Sequence, residues 1–192
     1  MPGKAVIISA PSGAGKTTIV KHLLGIRELK LAFSVSACTR PMREGEVSGR
    51  DYHFMSVNQF KVLIEEDAFL EWEEVYKNSY YGTLKREVDR IWKMNFHVLF
   101  DVDVVGGVNL KSKFGRDALA VFVMPPSLEV LKKRLELRGT EPEDKIRNRI
   151  NKASLELKYA GKFDVTLVND DLSATLKRAE QLAADFLNNT PG

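Results

Sequence analysis

The segment APSGAGKT, residues 10–17, directly follows the apolar run AVIIS and precedes residues with helical spacing. Gly13 and Gly15 permit backbone turns that point successive N–H groups at phosphate oxygens, and the start of a helix adds a partial positive charge. Lys16 supplies a cation for the β- and γ-phosphates, and Thr17 supplies a hydroxyl for Mg²⁺. The segment therefore predicts a strand–loop–helix unit, a P-loop, that binds a nucleoside triphosphate; the alternative is a glycine-rich turn without function.

Apolar runs alternate with segments of helical spacing on both sides of the middle of the chain. The runs at 97–103, 118–124 and 164–168 each precede a helical pattern, and the last of these patterns covers 173–187. Continuous apolar strands separated by helices are typical of a parallel sheet that helices cover on both faces. We therefore predict an α/β fold with a P-loop at the end of its first strand.

The middle of the chain has a different residue pattern, which predicts short half-buried strands in DYHFMS, FLEWEEVY and NSYYG. Between the first two, Ser56 and Gln59 have the spacing of a capping box that opens a short helix. This pattern predicts an inserted α+β subdomain that binds a substrate, and the polar stretch GTEPED predicts a short mobile lid. We place the core in residues 1–33, 84–138 and 151–192, the inserted subdomain in 34–83 and the lid in 139–150.

The composition is that of an ordinary globular chain with a mildly basic balance. The 192 residues are 44% hydrophobic and 29% charged, and the formal net charge is +3. No run of Lys and Arg marks a nucleic-acid tail, so the basic balance favours a site for the phosphates of small molecules. The apolar run near the N-terminus is too short for a signal segment or a membrane span. We expect a cytoplasmic protein with no nucleic-acid partner and no membrane partner.

The stretch SVSACTRPMR, residues 34–43, begins like a buried strand and ends in hydroxyls and arginines. Arg40 and Arg43 carry the planar donor fork that captures phosphate, and Tyr52 and Tyr81 offer hydroxyl donors to the same oxygens. The alternative is that both arginines are solvated loop charges. Their hydroxyl-bearing neighbours favour the phosphate-binding interpretation.

Glu71 lies inside the stretch FLEW, where a carboxylate is costly unless a donor faces it. The edge of guanine presents two adjacent donors, N1–H and the 2-amino group, and one carboxylate can accept both. Adenine lacks this pair of donors on its Watson–Crick edge. The alternative, a strand-edge glutamate that points to water, stays open on these residues alone.

One family shares with this chain, in order and spacing, the pieces AVIISAPSGAGKT, SVSACTR, GEVSGRDYHF, FLEW, YYGT, LFDVD, LKKRLELRGTE and LVNDD. The chain resembles the guanylate kinases over nearly its whole length. The resemblance implies the reaction ATP + GMP ⇌ ADP + GDP in purine nucleotide metabolism, with dGMP as a further acceptor and Mg²⁺ bound with ATP. It also implies that ATP and GMP are the partners of a monomer or a homodimer.

The resemblance implies a P-loop kinase core and makes the inserted α+β subdomain a nucleoside-monophosphate-binding subdomain. It assigns roles on the acceptor side to residues of this subdomain and of LFDVD. It implies that the guanine base is bound by Ser36, Glu71 and Thr83, with Asp103 also on the guanosine side. It implies that the GMP phosphate is bound by Arg40, Arg43, Tyr52 and Tyr81.

On the donor side, the resemblance implies ATP-binding roles for Ser12, Gly13, Ala14, Gly15, Lys16, Thr17, Thr18, Arg134, Arg138 and Asn169. Thr17 would bind Mg²⁺, with Asp101 near the ion through water. The residues expected to neutralise charge during transfer are Lys16, Arg40, Arg138 and Arg149.

The chain departs from the family pattern at a few positions. Cys38 stands where Thr is common, and we interpret it as a packing residue. Pro41 is shifted by one position, which we expect to tilt Arg43, and Val105 stands where Gln is usual.

Two other functions remain as alternatives. One is a guanylate-kinase-like module that binds phosphopeptides without catalysis; such modules typically lack the P-loop lysine, whereas Lys16 is present here. The other is a kinase for a different nucleoside monophosphate.

Overall fold

The computed structural model describes residues 3–137 and 143–189 of the chain. The strands in these ranges are β1 (Ala5–Ser9), β2 (Leu31–Phe33), β3 (Ala37–Cys38), β4 (His53–Phe54), β5 (Phe69–Tyr76), β6 (Ser79–Leu84), β7 (His97–Val102), β8 (Ala118–Met124) and β9 (Val165–Val168). The helices are α1 (Lys16–Gly25), α2 (Val57–Glu65), α3 (Lys85–Lys93), α4 (Val104–Phe114), α5 (Leu128–Leu137), α6 (Glu143–Glu156) and α7 (Leu172–Asn188). Short 3-10 turns cover Arg27–Leu29, Gly115–Asp117 and Leu157–Lys162. Within the described ranges, no helix combines the length and the apolar character needed to cross a membrane.

A five-stranded parallel sheet in the order β2-β7-β1-β8-β9 forms the centre of the fold. All five residues of β1 are buried, as expected for a strand covered on both faces. Val6 and Ile8 belong to the core that α1 and α7 cover, whereas Ala5 and Ile7 belong to the core that α3 and α4 cover. The predicted α/β class, with helices on both faces of a parallel sheet, is therefore confirmed.

A second, four-stranded mixed sheet has the order β4-β3-β6-β5. It has its own small core, in which Phe60 of α2 stacks on Phe69 at 4.4 Å between ring centroids. The predicted capping box is present: Gln59 N donates to Ser56 Oγ, and Ser56 N donates to Gln59 Oε1. Cys38 is fully buried in this sheet, and burial raises the pKa of its thiol.

The stretch that begins at Ser34 forms a shorter strand than its sequence indicates. Ser34 N still donates to Leu99 O of the parallel sheet, but Val35 N donates to the carboxylate of Glu87 instead of to a neighbouring strand. The chain leaves the first sheet at this point, and pairing in the second sheet resumes only at Ala37.

Helix α3 is an element that the sequence patterns did not predict, whereas a helix after the polar stretch GTEPED was expected. Residues 139–142 of the predicted lid lie outside the described ranges. Glu143 and Asp144 open α6, where their charges suit the positive end of the helix, so residues 143–150 of the lid are helical. Ile146 and Ala153 pack this helix against α5.

Candidate active site

The segment between β1 and α1 curves around a cavity of about 310 Å³, here called the loop cavity. Gly13 and Gly15 have φ angles of 94° and 101°, a left-handed backbone that glycine adopts without steric cost. Ala14 N donates to Pro11 O at 3.1 Å and closes the turn. The loop and the start of α1 line this cavity with Ala10, Pro11, Ser12, Gly13, Gly15, Lys16, Thr17 and Thr18. A helix N-terminus at the end of such a loop suits an anion.

Lys16 connects the loop to the end of the neighbouring strand. Its Nζ lies 2.7 Å from Asp101 Oδ1 and donates to Val102 O, also at 2.7 Å. Ile8 of β1 pairs in register with Asp101 of β7, so the ends of two parallel strands bring these groups to one edge of the sheet. Thr17 also reaches this edge, from the first turn of α1.

Asn169 packs against the other side of the loop. Its side chain is almost fully buried, and Nδ2 donates to Ala14 O at 2.7 Å. A β-carbon at Gly15 would lie 2.2 Å from this nitrogen, so the approach requires glycine. Arg134 Nη2 donates to Asn169 O at 2.9 Å. Asn169 therefore supports the loop with its amide nitrogen, a role that the sequence did not predict. Its Oδ1 is buried and has no partner among the described residues.

Arg134 and Asn169 also line an open cavity of about 340 Å³ beside the loop. The remaining lining comes from the loop glycines and from Thr18, Leu137, Asp170 and Leu172. Leu137 and Leu172 are exposed apolar side chains, and such surface suits the face of a base.

Helix α6 brings a second arginine to the loop. Arg149 Nη1 donates to Ser12 Oγ at 2.8 Å. Arg138, predicted to act beside it, lies outside the described residues. Lys152 follows on the same helix and lines the loop cavity together with Glu156, although neither residue was predicted from the sequence.

A second cavity of about 330 Å³, here called the acceptor cavity, lies between the two sheets. Glu71 enters it from β5, and Thr83, directly across on β6, donates its hydroxyl to Glu71 Oε1 at 2.6 Å. Burial raises the pKa of Glu71 to about 6, although the hydrogen bonds from Thr83 oppose this shift. Thr83 is fully buried behind the glutamate, so in this structure it orients Glu71 and does not itself line the cavity.

Asp103 caps α4 at the rim of the same cavity, where its Oδ1 accepts from Gly106 N at 2.7 Å. A β-carbon at Gly106 would lie 3.0 Å from both Asp103 Oδ1 and Glu71 Oε2, so the two carboxylates converge above this glycine. The acceptor cavity is lined by Lys16, Phe33, Ser36, Asp51, Tyr52, Glu71, Glu73, Val75, Tyr81, Gly82, Asp101, Val102, Asp103 and Lys152.

Glu73 is a lining residue that was not predicted, although a sequence signal exists. It follows Glu71 by two residues on a strand, and such residues face the same side of a sheet. Burial and the neighbouring carboxylate of Asp103 raise the pKa of Glu73 well above its usual range.

The guanidinium of Arg40 makes a two-point ion pair with Glu46, at 2.7 Å and 2.6 Å. It lies over the rings of Tyr52 and Phe54, with its central carbon 4.9 Å and 5.3 Å from their centroids. The hydrogen bonds from Arg40 lower the pKa of Glu46 to about 2, and the pair raises the pKa of Arg40. Arg43 donates its backbone N–H to the same carboxylate at 2.7 Å.

Tyr52 and Tyr81 meet edge to face, with ring centroids 6.1 Å apart, and both line the acceptor cavity. The structure therefore brings these tyrosines together with Ser36 and Glu71. Arg40 lies behind Tyr52 and does not line the cavity, because Glu46 occupies its donor fork. The sequence predicted Arg40 as a phosphate-binding residue, but it did not predict that the carboxylate of Glu46 would compete for the same guanidinium.

Comparison with known proteins identifies the family of this chain. The family model described as guanylate kinase matches residues 2–185. The chain belongs to the guanylate kinase family. Guanylate kinases are ATP:GMP phosphotransferases, and phosphorylation of GMP is the known reaction of the family.

Two bacterial guanylate kinases are similar over almost their full length. The protein from Porphyromonas gingivalis is 48% identical over 184 residues, which cover 96% of this chain and 98% of that protein. The protein from Bacteroides thetaiotaomicron is 48% identical over 188 residues, which cover 98% of this chain and 92% of the relative. The crystal structure of guanylate kinase from Anaplasma phagocytophilum superposes with a TM-score of 0.78 over 98% of this chain and 88% of that one. At 24% identity, this last likeness shows the fold alone.

Proposed function

We propose that the chain transfers the γ-phosphoryl group of ATP to GMP, and also to dGMP, to give ADP and GDP. One observation carries the proposal: the loop cavity and the acceptor cavity share Lys16, Asp103 and Lys152 in their linings. A triphosphate in the first cavity and a monophosphate in the second would meet at these residues. In-line transfer requires this juxtaposition of donor and acceptor phosphates.

Glu71 would select the base. An ionised carboxylate accepts from both N1–H and the 2-amino group of guanine, whereas adenine offers an acceptor at the first of these positions. The hydroxyl of Thr83 holds Glu71 in place, and Ser36 lines the same cavity as a partner for the guanine O6. Asp103, which converges with Glu71 above Gly106, would stand beside the guanosine.

The acceptor phosphate would be bound by the hydroxyls of Tyr52 and Tyr81, together with Arg40 and Arg43. Glu46 occupies the donor fork of Arg40 in this structure, so phosphate binding would have to share or displace this pair. Arg has donors beyond the two that Glu46 accepts, so sharing is chemically feasible.

The triphosphate of ATP would follow the loop, where Ser12 to Thr18 supply N–H groups, hydroxyls and the Lys16 ammonium. Arg149 reaches the loop through Ser12. Arg134 and Asn169 line the adjoining cavity. The buried Oδ1 of Asn169 is an unused acceptor that suits the amino group of adenine, and the side chain would have to turn toward the cavity to meet it.

The oxygen donors at the edge of the sheet fit Mg²⁺, which prefers hydroxyl, carboxylate and water ligands. Thr17 and Asp101 would hold the ion, Asp101 through water, and Lys16 leaves the second carboxylate oxygen of Asp101 available. Bound Mg²⁺ would neutralise charge on the β- and γ-phosphates.

The chain's own residues would contribute positioning and charge neutralisation. The GMP phosphate is already ionised and nucleophilic, so no general base is required. Lys16, Arg40, Arg138 and Arg149 are the residues proposed to stabilise the charge of the transition state.

Water must be excluded, because it would otherwise accept the phosphoryl group. We expect residues 34–83 and 139–150 to close over both substrates. Small-angle scattering should show a smaller radius of gyration with both nucleotides than without them; an unchanged radius would count against closure.

Coupled measurement of ADP formation from ATP with GMP, dGMP, AMP, UMP and dTMP tests the proposed function. We expect turnover with GMP and dGMP and little with the others. Turnover with another monophosphate would favour the alternative kinase, and no ADP with any acceptor would favour the phosphopeptide-binding module. A Lys16→Met variant controls for contaminating kinases, since it removes the ammonium of the P-loop.

A further inference from the structure

Lys152 occupies a position that the proposed roles leave without a function. It extends from α6, yet it lines both the loop cavity and the acceptor cavity. Lys16 and Asp103 are the other residues common to both linings, and they come from different elements of the fold. The Lys152 ammonium therefore stands where the two substrates would meet.

The charges of the acceptor cavity indicate why a second cation matters there. The described residues of its lining include five carboxylates, from Asp51, Glu71, Glu73, Asp101 and Asp103. Two lining residues are cations, Lys16 and Lys152. The carboxylate of Asp101 and the carbonyl of Val102 already engage Lys16. A doubly charged phosphate that enters this cavity needs further positive charge, because like charges repel strongly where water is excluded.

The face of α6 that carries Arg149 and Lys152 is turned toward the phosphate loop. Arg149 and Lys152 are three residues apart, so they lie on the same face of the helix. Arg149 contacts Ser12 of the loop, which places Lys152 next along that face. Helix α6 thus presents one cation at the loop and the next at the junction of the two cavities.

The ion pair that Lys152 makes in this structure is weak enough to be exchanged. Its Nζ lies 3.7 Å from Glu156 Oε1, one turn away on the same helix, and half of the lysine side chain is exposed. Glu156 is largely buried, but a separation of 3.7 Å is too long for a hydrogen bond, and ion pairs with an exposed partner contribute little to stability. A phosphate oxygen offers a stronger, charge-assisted bond to the same ammonium.

We propose that Lys152 is a further catalytic residue, whose ammonium bonds to oxygens of the transferred phosphoryl group and of the acceptor phosphate; this rests on the proposed GMP phosphorylation. In the transfer, a GMP phosphate oxygen forms a bond to the γ-phosphorus. The bond from that phosphorus to the bridging oxygen breaks, and its electron pair stays on ADP. Lys152 donates hydrogen bonds throughout and gives up no proton.

The test compares Lys152→Met and Lys152→Arg with Lys158→Met, a matched control. Lys158 is exposed in the 3-10 turn that follows α6 and lines neither cavity. With saturating ATP and GMP, Lys152→Met should lower kcat about 100-fold, the lower end of what losing one preorganised donor costs. Lys152→Arg should restore part of the rate, and Lys158→Met should stay within about twofold of the wild type.

Binding measurements separate catalysis from a structural role. In Lys152→Met the thermal midpoint of unfolding and the Kd for ATP alone should change little, whereas the Kd for GMP should rise, because the acceptor phosphate loses a cation. A bisubstrate analogue that joins adenosine and guanosine through phosphates should lose more affinity than GMP, because it fills both cavities. Unchanged kcat in Lys152→Met, or an equal loss in Lys158→Met, would overturn the inference while leaving the proposed function intact. Wild-type protein that forms no ADP with GMP would overturn both.

Discussion

Replacement of Glu71 by glutamine is the sharpest probe of base selection. Glutamine keeps the shape of the side chain, but it replaces one acceptor oxygen with a donor that would face a donor of guanine. Hydrogen bonds to a charged partner contribute about 1.5–3 kcal/mol. At 1.4 kcal/mol for each factor of ten, kcat/KM for GMP should fall about 10- to 150-fold. The KM for ATP should stay unchanged, because Glu71 lines the acceptor cavity and not the loop cavity.

The assay compares GMP with IMP, which lacks the 2-amino group, at a pH well above the pKa of about 6 for Glu71. The wild type should prefer GMP, and Glu71→Gln should lose most of that preference, because the carboxylate that accepts the 2-amino group is gone. Glu65→Gln, on the exposed surface of α2, is the matched control. An equal loss for ATP and GMP, or an unchanged ratio of GMP to IMP, would refute the assignment.

Three further perturbations follow from the geometry of the site and of Val35, where the chain passes from the first sheet to the second. Guanosine, which has no phosphate to titrate, should bind more weakly below about pH 6, because protonation of Glu71 removes an acceptor; a Kd constant in calorimetry from about pH 5 to about pH 8 would contradict this. Gly15→Ala should weaken ATP binding at least about tenfold and leave GMP binding unchanged, because its β-carbon would lie 2.2 Å from Asn169 Nδ2 at a φ of 101°. Glu87→Ala should lower the free energy of unfolding by about 1–3 kcal/mol, because a buried backbone N–H loses its acceptor. Urea unfolding should show a smaller effect, within about 0.5 kcal/mol, for Asp89→Ala on the exposed side of the same helix, and equal effects would argue against this role.

The phosphate loop shows how far local sequence determines structure. Its strand, its two left-handed glycines and the start of α1 follow from residues that are neighbours in the chain. The capping box at Ser56 has the same local origin. The parallel sheet could also be predicted, because burial on both faces requires continuous apolar strands.

The lid and the passage of the chain between the two sheets at Val35 show where local patterns were insufficient. The polar stretch around Glu143 resembles a loop in composition, but α6 begins at Glu143, and Ile146 and Ala153 pack this helix on α5. The strand expected from Ser34 is interrupted because Val35 N donates to the side chain of Glu87 and not to a neighbouring strand. Glu87 lies 52 residues further along the chain, so the local sequence does not indicate this contact. Such a choice of hydrogen-bond partner depends on the path of the whole chain.

The residue types at the proposed site were evident in the sequence by itself: the P-loop lysine, the glutamate in an apolar strand, and the arginines of SVSACTRPMR. Only the tertiary structure decided which of these groups are free to meet a ligand. Thr83 holds Glu71, Asn169 supports the loop, and Glu46 occupies Arg40. The physical reason is that charge and hydrogen-bonding capacity are properties of single residues, whereas the partner that uses them is set by folding.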